Sequence, residues 1–265
     1  MAEQNFDPTV PNVARVYDFL LGGKDNFAAD REFATRLLEI RADTQMTVRE
    51  NRTFLGRVVT FLASQGVRQF LDLGTGLPTS ENVHQVAQRV DPEARVVYVD
   101  NDLVVVRHAE ALLAKNDGKV AVMHADLRDP AEVLGASQEF IDWTQPVAIL
   151  MLAILHFVPD SESPHRVVAQ YADWLPPGGY LAVSHAELRE GVDEIARMYT
   201  AQASSRGAQG RTRADIERFF TGLDLVEPGL VTVSHWRPAS PGQHADPWFL
   251  GGVARKRLCA AGEGH

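Results

Sequence analysis

The chain has 265 residues, of which 45% are hydrophobic, and its formal net charge is −9 with a pI near 5.5. This length and hydrophobic content predict one large globular unit with a full core, and the acidic balance argues against a binder of the nucleic-acid backbone, which needs clustered lysine and arginine. One cysteine, Cys259, excludes an internal disulfide and a cysteine-based zinc site, so we expect a reducing, cytoplasmic location and no metal.

Three amphipathic helices are predicted before the first strand. Asn12 can cap a helix that ends at a glycine pair, and apolar spacing indicates two further helices within residues 27–40 and 48–62. A polar loop, residues 22–27, follows the first helix and has the backbone freedom of glycine. We therefore expect this loop to face a ligand and the helices to cover the site as a lid; the alternative is a simple packing extension. The first residues lack the basic and then apolar pattern of a signal peptide, so none is expected.

The stretch FLDLGTGLPTSEN, residues 70–82, predicts a buried strand, a sharp turn and a helix start. Gly74 and Gly76 let the backbone turn within a few residues and let a ligand approach main-chain N–H groups without a Cβ in the way. An ordinary strand-to-helix turn is the alternative. The dinucleotide fingerprint G-x-G-x-x-G would need a third glycine at position 79, where the chain has Thr79.

Acidic residues mark three successive predicted strands. Asp72 belongs to the first strand, Asp100 ends the second and Asp126 follows the third. Because ligands bind beyond the carboxyl ends of strands in α/β sheets, we expect Asp100 to accept hydrogen bonds from both hydroxyls of a ribose. Each aspartate alone could equally be a helix cap, and ribose pairing also occurs in enzymes that use NAD.

The fourth predicted strand, residues 147–153, is continuously apolar and leads into His156. The apolar run is too short to span a bilayer, so no membrane segment is expected. With an ordinary pKa of about 6.5, His156 could act as a general base or contact a substrate, or it could pack as a neutral residue. After the fifth strand we expect His185 and Glu187 to be solvated loop residues, and the chain then ends in antiparallel strand pairings.

The frame Asp72-Leu73-Gly74-Thr75-Gly76 resembles the first motif of the class I S-adenosylmethionine-dependent methyltransferases, with Pro78 in place of a third alternating glycine. The strings PNVARVYDFLLGGKDNFAADREFA, RENRTFLGRVV, QFLDLGTGLPTSENVHQVAQ and RVVYVDND extend the resemblance to an actinobacterial-type family of such enzymes whose substrate is unassigned. The resemblance implies a Rossmann-like α/β fold: a mostly parallel seven-stranded sheet of order 3-2-1-4-5-7-6 with helices on both faces. The resemblance places the methyltransferase domain at residues 67–256, and beside it we expect the N-terminal helices of residues 1–66 to form the lid and residues 257–265 to form a flexible tail.

The same resemblance implies S-adenosyl-L-methionine as the cofactor and S-adenosyl-L-homocysteine as the product, but it does not supply an acceptor. Because the acidic balance argues against nucleic acid, we expect a small-molecule acceptor for O- or N-methyl transfer. The resemblance also implies that Asp126 contacts the adenine amino group and that Leu127 contacts the ring through its backbone. The implied cofactor-binding residues are Asp72, Gly74, Thr75, Gly76, Asp100, Asn101, Asp126 and Leu127, and the implied lid or substrate residues are Tyr17, Lys24, Asn26 and Arg52.

Three alternatives stay open at this point. His156 is the candidate general base, but methyl transfer needs little acid–base help when the acceptor is already nucleophilic. The protein could bind the cofactor without turnover, or it could be an NAD(P)-binding oxidoreductase. The chain also lacks the [Asn/Asp]-Pro-Pro-[Tyr/Phe] pattern that many amino-group methyltransferases carry after this strand, which argues against an adenine or glutamine amide acceptor.

Overall fold

A mixed eight-stranded sheet with helices packed against it forms the centre of the computed structural model, which describes residues 6–79, 81–113, 118–203, 205, 207–240 and 245–258. Cys259 and most of the predicted tail lie outside these residues. Within them the helices are α1 (Val13–Leu21), α2 (Ala28–Ile40), α3 (Thr44–Ser64), α4 (Val83–Val90), α5 (Leu103–Leu113), α6 (Pro130–Ser137), α7 (Pro164–Trp174), α8 (Val192–Gln202) and α9 (Arg213–Glu217). The strands are β1 (Gln69–Leu73), β2 (Arg95–Asp100), β3 (Val120–His124), β4 (Val147–Leu152), β5 (Tyr180–Ala186), β6 (Asp224–Leu225), β7 (Val231–Thr232) and β8 (Phe249–Arg255).

The strand order is β3-β2-β1-β4-β5-β8-β6, and β1 to β5 run parallel. β8 is antiparallel to β5, and the short strands β6 and β7 both pair antiparallel with β8. The predicted fold and strand order are confirmed. The long antiparallel strand is numbered eighth because the two-residue β7 precedes it.

Local sequence signals explain where the first helix begins and ends. The Asn12 side chain accepts a hydrogen bond from the backbone N–H of Arg15 at 3.1 Å, and Gly22 ends the helix with φ 88° in the left-handed region. α6 and α8, which the sequence reading did not predict, complete the alternation of strands and helices.

The sheet buries a different core on each face, because neighbouring side chains of a strand point in opposite directions. Phe70 and Leu150 pack on one face with helices α1 to α3, which contribute buried residues such as Val16 and Phe54. Leu71 and the other strand residues that point the opposite way pack on the second face with α6, α7 and α9. The N-terminal helices therefore belong to the main core as well as reaching the carboxyl ends of the strands.

Candidate active site

A cavity of about 640 Å³ lies at the carboxyl ends of the central parallel strands, a size usual for small-molecule sites. Its floor comes from the segments after β1, β2, β3 and β4, and its roof comes from α1 and α3. We use "floor" for Asp72, Gly76 and Asp100, and "roof" for Asn12, Tyr17 and Asn51. The structure brings all eight predicted cofactor-binding residues to this one cavity: Asp72, Gly74, Thr75, Gly76, Asp100, Asn101, Asp126 and Leu127.

The two glycines of the turn after β1 have different tasks. Both are in the left-handed region, Gly74 with φ 75° and Gly76 with φ 66°. A Cβ on Gly74 would lie 2.3 Å from Cγ1 of Ile154, so the lack of a side chain at Gly74 allows close packing against Ile154 at the edge of the cavity. A Cβ on Gly76 would meet no atom within 4 Å. Gly76 therefore presents its backbone to open space in the cavity.

Asp100 is fixed by backbone donors at the end of β2. Its Oδ2 accepts a hydrogen bond from Gly76 N at 2.9 Å, and its Oδ1 accepts one from Asp102 N at 2.9 Å. Each carboxylate oxygen keeps a lone pair for a further donor. Burial raises the pKa of Asp100 to about 6, although the backbone N–H groups of Asp102 and Gly76 oppose this rise. The carboxylate is thus held in one orientation and can accept two hydroxyl groups.

Asp72 is a buried carboxyl on the cavity floor with only 6% of its surface exposed. Burial raises its pKa to about 7; the positive charge of Arg52 opposes the rise and the negative charge of Asp100 adds to it. Arg52 also donates to the Glu81 carbonyl at 2.9 Å and to Asn82 Oδ1 at 3.2 Å. Arg52 therefore holds the loop after the glycine turn, while Asp72 is ready to ionise beside a positively charged ligand.

Asp126 lies at the other end of the cavity in an ion pair that the sequence reading did not predict. Arg128 Nε donates to Asp126 Oδ1 at 2.8 Å, and Arg128 Nη1 donates to Glu162 Oε2 at 2.9 Å. Asn101 Nδ2 also donates to Asp126 Oδ2 at 3.3 Å. Burial acts to raise the pKa of Asp126, but the hydrogen bonds and charge of Arg128 outweigh it and lower the pKa overall. The two-residue spacing of Asp126 and Arg128 was the available signal.

A chain of hydrogen bonds connects the roof to the ends of two strands. Asn51 Nδ2 donates to the Tyr17 hydroxyl at 2.9 Å, and the Ser184 hydroxyl donates to Asn51 Oδ1 at 2.6 Å. Ser184 Oγ in turn accepts from Ala153 N at 2.9 Å, directly after β4. Because Tyr17, Asn51 and Ala153 line the cavity, this chain holds one wall of it in place.

The start of α1 is joined to the floor by a second contact. Asn12 Nδ2 donates to Asp102 Oδ2 at 2.6 Å, two residues beyond Asp100. The partners are 90 residues apart in sequence. Sequence analysis identified Asn12 only as a helix cap and did not single out Asn51, because neither long-range partner follows from local spacing.

The polar loop between α1 and α2 lies outside the cavity, which differs from the expectation that it faces a ligand. Asn26 Nδ2 donates to Asp18 Oδ2 at 2.9 Å, and Asp25 N donates to the same oxygen at 2.9 Å. A Cβ on Gly23 would lie 1.9 Å from Asp18 Oδ1. The loop is thus folded around the buried carboxylate of Asp18, and exposed Lys24, like Asn26, does not line the cavity.

His156 is buried and lies outside the cavity, among aromatic rings. Its ring centroid is 4.5 Å from that of Phe157 and 5.3 Å from that of Phe249. Burial, aided by the positive charge of Arg211, lowers the pKa of His156 to about 3. The imidazole is therefore neutral at pH 7 and far weaker as a base than its ordinary pKa suggested.

His185 is completely buried, so the expectation that it is a solvated loop residue is wrong. Its Nδ1 is 2.8 Å from the Ala186 carbonyl, and Arg211 Nη1 lies 2.7 Å from its Nε2. Because arginine only donates, Nε2 accepts and the ring N–H is assigned to Nδ1. Glu187 pairs with Arg189 at 2.8 Å.

The described ranges contain neither a metal-binding cluster of side chains nor a membrane-spanning helix. No group of three or more histidine, cysteine, aspartate or glutamate side chains in them is placed to hold a metal ion. None of the helices in the same ranges has both the length and the apolar character needed to cross a membrane.

Comparison with known proteins gives matches over almost the whole chain. The sequence pattern of the S-adenosyl methyltransferase family matches residues 1–257. A crystal structure from Thermobifida fusca YX, provisionally named a methyltransferase, is 41% identical and covers 94% of this chain and 96% of that chain, with a TM-score of 0.89. A DUF574 family protein from Streptomyces avermitilis is also 41% identical, covers 94% of this chain and 99% of that chain, and gives a TM-score of 0.87.

A more distant likeness concerns the fold alone. The N-methyltransferase NodS from Bradyrhizobium japonicum WM9, in complex with S-adenosyl-L-homocysteine, is 17% identical over 91% of this chain and 98% of that chain, with a TM-score of 0.50. No match was found among the curated proteins.

Proposed function

The chain belongs to the S-adenosyl methyltransferase family, and from this premise we propose that it transfers a methyl group from S-adenosyl-L-methionine to an oxygen or nitrogen of a small-molecule acceptor. One observation carries the proposal: the cavity of about 640 Å³ collects the eight cofactor-binding candidates at the carboxyl ends of the parallel strands. The net charge of −9 supports a small-molecule acceptor over nucleic acid. The single cysteine supports a cytoplasmic location.

The residues of the cavity fit this cofactor. Asp100 has a free lone pair on each oxygen for the two ribose hydroxyls, and Gly76 leaves open space for a close approach to the backbone. Asp72 is a buried carboxyl that a neighbouring cation would ionise. Val99, Leu103 and Leu127 add apolar lining for a purine ring. We propose that Asp126 contacts the adenine amino group, with the orientation of its carboxylate fixed by Arg128.

Each part of the chain then has a task in the reaction. When bound, the cofactor would supply an electrophilic methyl group: an acceptor lone pair would bond to the methyl carbon as the C–S bond breaks, the electrons of that bond would remain on sulfur, and the proton of the acceptor would be released to bulk water. Asp72 and Asp100 fix the orientation of the cofactor. The roof excludes water, and the Tyr17–Asn51–Ser184 hydrogen bonds hold it against the strand ends. Positioning of this kind supplies much of the rate, so His156 is not needed as a base.

We also propose that residues 1–66 act as a lid on the domain of residues 67–256. The support is the position of α1, since Asn12, Val13, Ala14, Tyr17 and Leu21 all line the cavity. Val16 and Leu20 of the same helix are buried in the core, so deleting α1 would also destabilise the protein. Point substitutions in the roof therefore test the lid better than truncation does.

Isothermal titration with S-adenosyl-L-homocysteine and with NADH tests the proposed cofactor. We expect a saturable response to S-adenosyl-L-homocysteine and none to NADH. Tight binding of NADH without a response to S-adenosyl-L-homocysteine would favour an oxidoreductase. A screen that follows consumption of S-adenosyl-L-methionine over small-molecule acceptors then separates a catalyst from a protein that only binds the cofactor.

A further inference from the structure

A second, smaller chamber adjoins the cavity, and neither the proposed cofactor binding nor the proposed methyl transfer uses it. It has a volume of about 50 Å³, and it shares the lining residues Val13, Tyr17 and Phe157 with the cavity. We call it the aromatic chamber. The three shared residues place the chamber directly beside the cavity.

Aromatic side chains and small apolar residues line the chamber. Phe157 meets Tyr199 edge to face, with ring centroids 5.1 Å apart, and Trp248 meets Phe249 in the same way at 4.9 Å. No lysine, arginine, aspartate or glutamate is present among the described residues that line it. Such a wall attracts apolar and aromatic groups, while a charged group would lose its hydration without gaining a partner.

Two polar atoms at the chamber have no partner in the protein. Nδ1 of His156 and Nε1 of Trp248 are both buried, and neither makes a hydrogen bond within the described part of the chain. The His156 residue is only 9% exposed and the Trp248 residue 5%. Buried polar atoms of this kind are uncommon because each lost hydrogen bond is unfavourable. A ligand that brings a polar atom into the chamber would satisfy one of them.

We infer that the aromatic chamber is part of the acceptor subsite, and that it receives the hydroxyl-bearing end of an uncharged aromatic ring, whose remaining atoms stay in the cavity because about 50 Å³ does not hold a whole ring. The hydroxyl hydrogen-bonds to His156 or Trp248, and the atom that receives the methyl group stays in the cavity beside Tyr17. The inference rests on the proposed methyl transfer, because it assigns the acceptor side of the same site.

A hydroxyl is the polar group that suits both partners. It can donate to an unprotonated imidazole nitrogen and can accept from an imidazole or indole N–H, so either tautomer of His156 is served. His156 stays neutral at pH 7, since burial lowers its pKa to about 3. His156 is therefore a substrate contact in this scheme, and it gives selectivity without taking a proton.

Filling the chamber tests the inference without need of the true acceptor. Ala196 lines the chamber from α8, whereas Ala201 is exposed on the same helix. With S-adenosyl-L-homocysteine saturating, we expect p-cresol to bind wild type and Ala201→Val equally, and to bind Ala196→Val at least tenfold more weakly by isothermal titration. All three proteins should bind S-adenosyl-L-homocysteine alike. Equal p-cresol affinity in the two variants would overturn the inference.

A second variant tests the hydrogen bond. In His156→Leu, p-cresol should bind at least fivefold more weakly, while toluene, which lacks the hydroxyl, should change by less than twofold. An unchanged p-cresol affinity in both His156→Leu and Trp248→Phe would refute the polar contact.

The crystal structure of the complex with p-cresol and S-adenosyl-L-homocysteine keeps the inference testable if the Ala196 variant does not fold. Density for p-cresol in the chamber supports the inference, and density elsewhere, or none, rejects it. If S-adenosyl-L-homocysteine binds and p-cresol does not, the acceptor assignment fails and the proposed cofactor stands. If p-cresol binds in the chamber and S-adenosyl-L-homocysteine does not bind the protein, the proposed function fails.

Discussion

The floor and the roof of the cavity are built from different kinds of contact. In the floor, the key hydrogen bonds are to backbone groups at the ends of neighbouring parallel strands, as in the pairs Gly76–Asp100 and Asp102–Asp100. In the roof, side chains meet side chains across 90 residues for Asn12–Asp102 and 133 residues for Asn51–Ser184. The topology of the sheet sets the floor, whereas individual side chains set the roof. Substitutions in the roof should therefore lower affinity and stability together, whereas substitutions in the floor should lower affinity without that loss of stability.

The largest effect is expected at Asp100 in the floor. Asp100→Ala removes both acceptors for the ribose hydroxyls, and hydrogen bonds to a charged group contribute about 1.5–3 kcal/mol, so the Kd for S-adenosyl-L-homocysteine should rise roughly 10- to 150-fold. Isothermal titration measures this change. Asp173→Ala, an exposed position on α7, serves as the matched control and should bind like wild type. Equal affinity of the two variants would remove Asp100 from the site.

Ionisation of Asp72 in the floor should lower the free energy of unfolding of the ligand-free protein. Its folded pKa of about 7 lies above its usual value of 3.8, so the folded state binds more protons than the unfolded state between these values. The free energy of unfolding of the ligand-free wild type should therefore fall as the pH rises from about 4 to about 7. Asp72→Asn has no carboxyl to ionise, so its free energy of unfolding should not fall in this way. At pH 8 the variant should be more stable than wild type by on the order of 2 kcal/mol.

Urea denaturation at pH 5 and at pH 8 tests the effect at Asp72. The gain in the variant should be larger at pH 8 than at pH 5, and the variant should also bind S-adenosyl-L-methionine more weakly than wild type. The same pH dependence in wild type and variant would show that Asp72 does not carry the raised pKa.

Asn12 tests whether the roof couples stability to affinity. Asn12→Ala removes a helix cap and the contact with Asp102, so the free energy of unfolding should fall by about 1 kcal/mol and the Kd for S-adenosyl-L-homocysteine should rise a few-fold. Asn26→Ala is the matched control, because Asn26 also bonds across the α1–α2 corner but lies outside the cavity. Both variants should melt earlier, and only Asn12→Ala should bind more weakly. A similar loss of affinity in both variants would show that the contact of Asn12 with the floor has no special effect on binding.

The smallest effect is expected at Lys24, which is exposed and does not line the cavity. Lys24→Ala should change the Kd for S-adenosyl-L-homocysteine by less than twofold and leave the melting temperature unchanged. A tenfold loss would mean that the loop closes on the site when the ligand binds, as the sequence first suggested.

The same contrast explains what the sequence could predict. The grouping of the floor residues in one cavity could be predicted because a glycine turn and strand-end aspartates are local patterns, and parallel strands bring their carboxyl ends to one edge. The bounds of α4 and α5 also follow from local apolar spacing. The close packing of Gly74 against Ile154 could not be predicted, since Ile154 follows a different strand.

The residues that sequence reasoning missed depend on distant partners. Arg128 bonds to Asp126, two residues away, and also to the distant Glu162. The role of Asn51 depends on its hydrogen bonds to Tyr17 and Ser184, which are far from it in sequence. The lowered pKa of His156 could not be predicted because burial sets it, and burial belongs to the whole fold. The charged loop after α1 looked like a ligand contact because its buried partner, Asp18, could not be seen from composition.

The crystal structure of the complex with S-adenosyl-L-homocysteine would test the central claim most directly. We predict that both ribose hydroxyls bond to the carboxylate of Asp100. We also predict that the amino-acid end of the ligand lies near Asp72, between Gly76 and Tyr17, and that the adenine lies beside Leu127. A ligand bound outside the cavity of about 640 Å³, or inside it with its ribose away from Asp100, would contradict the account.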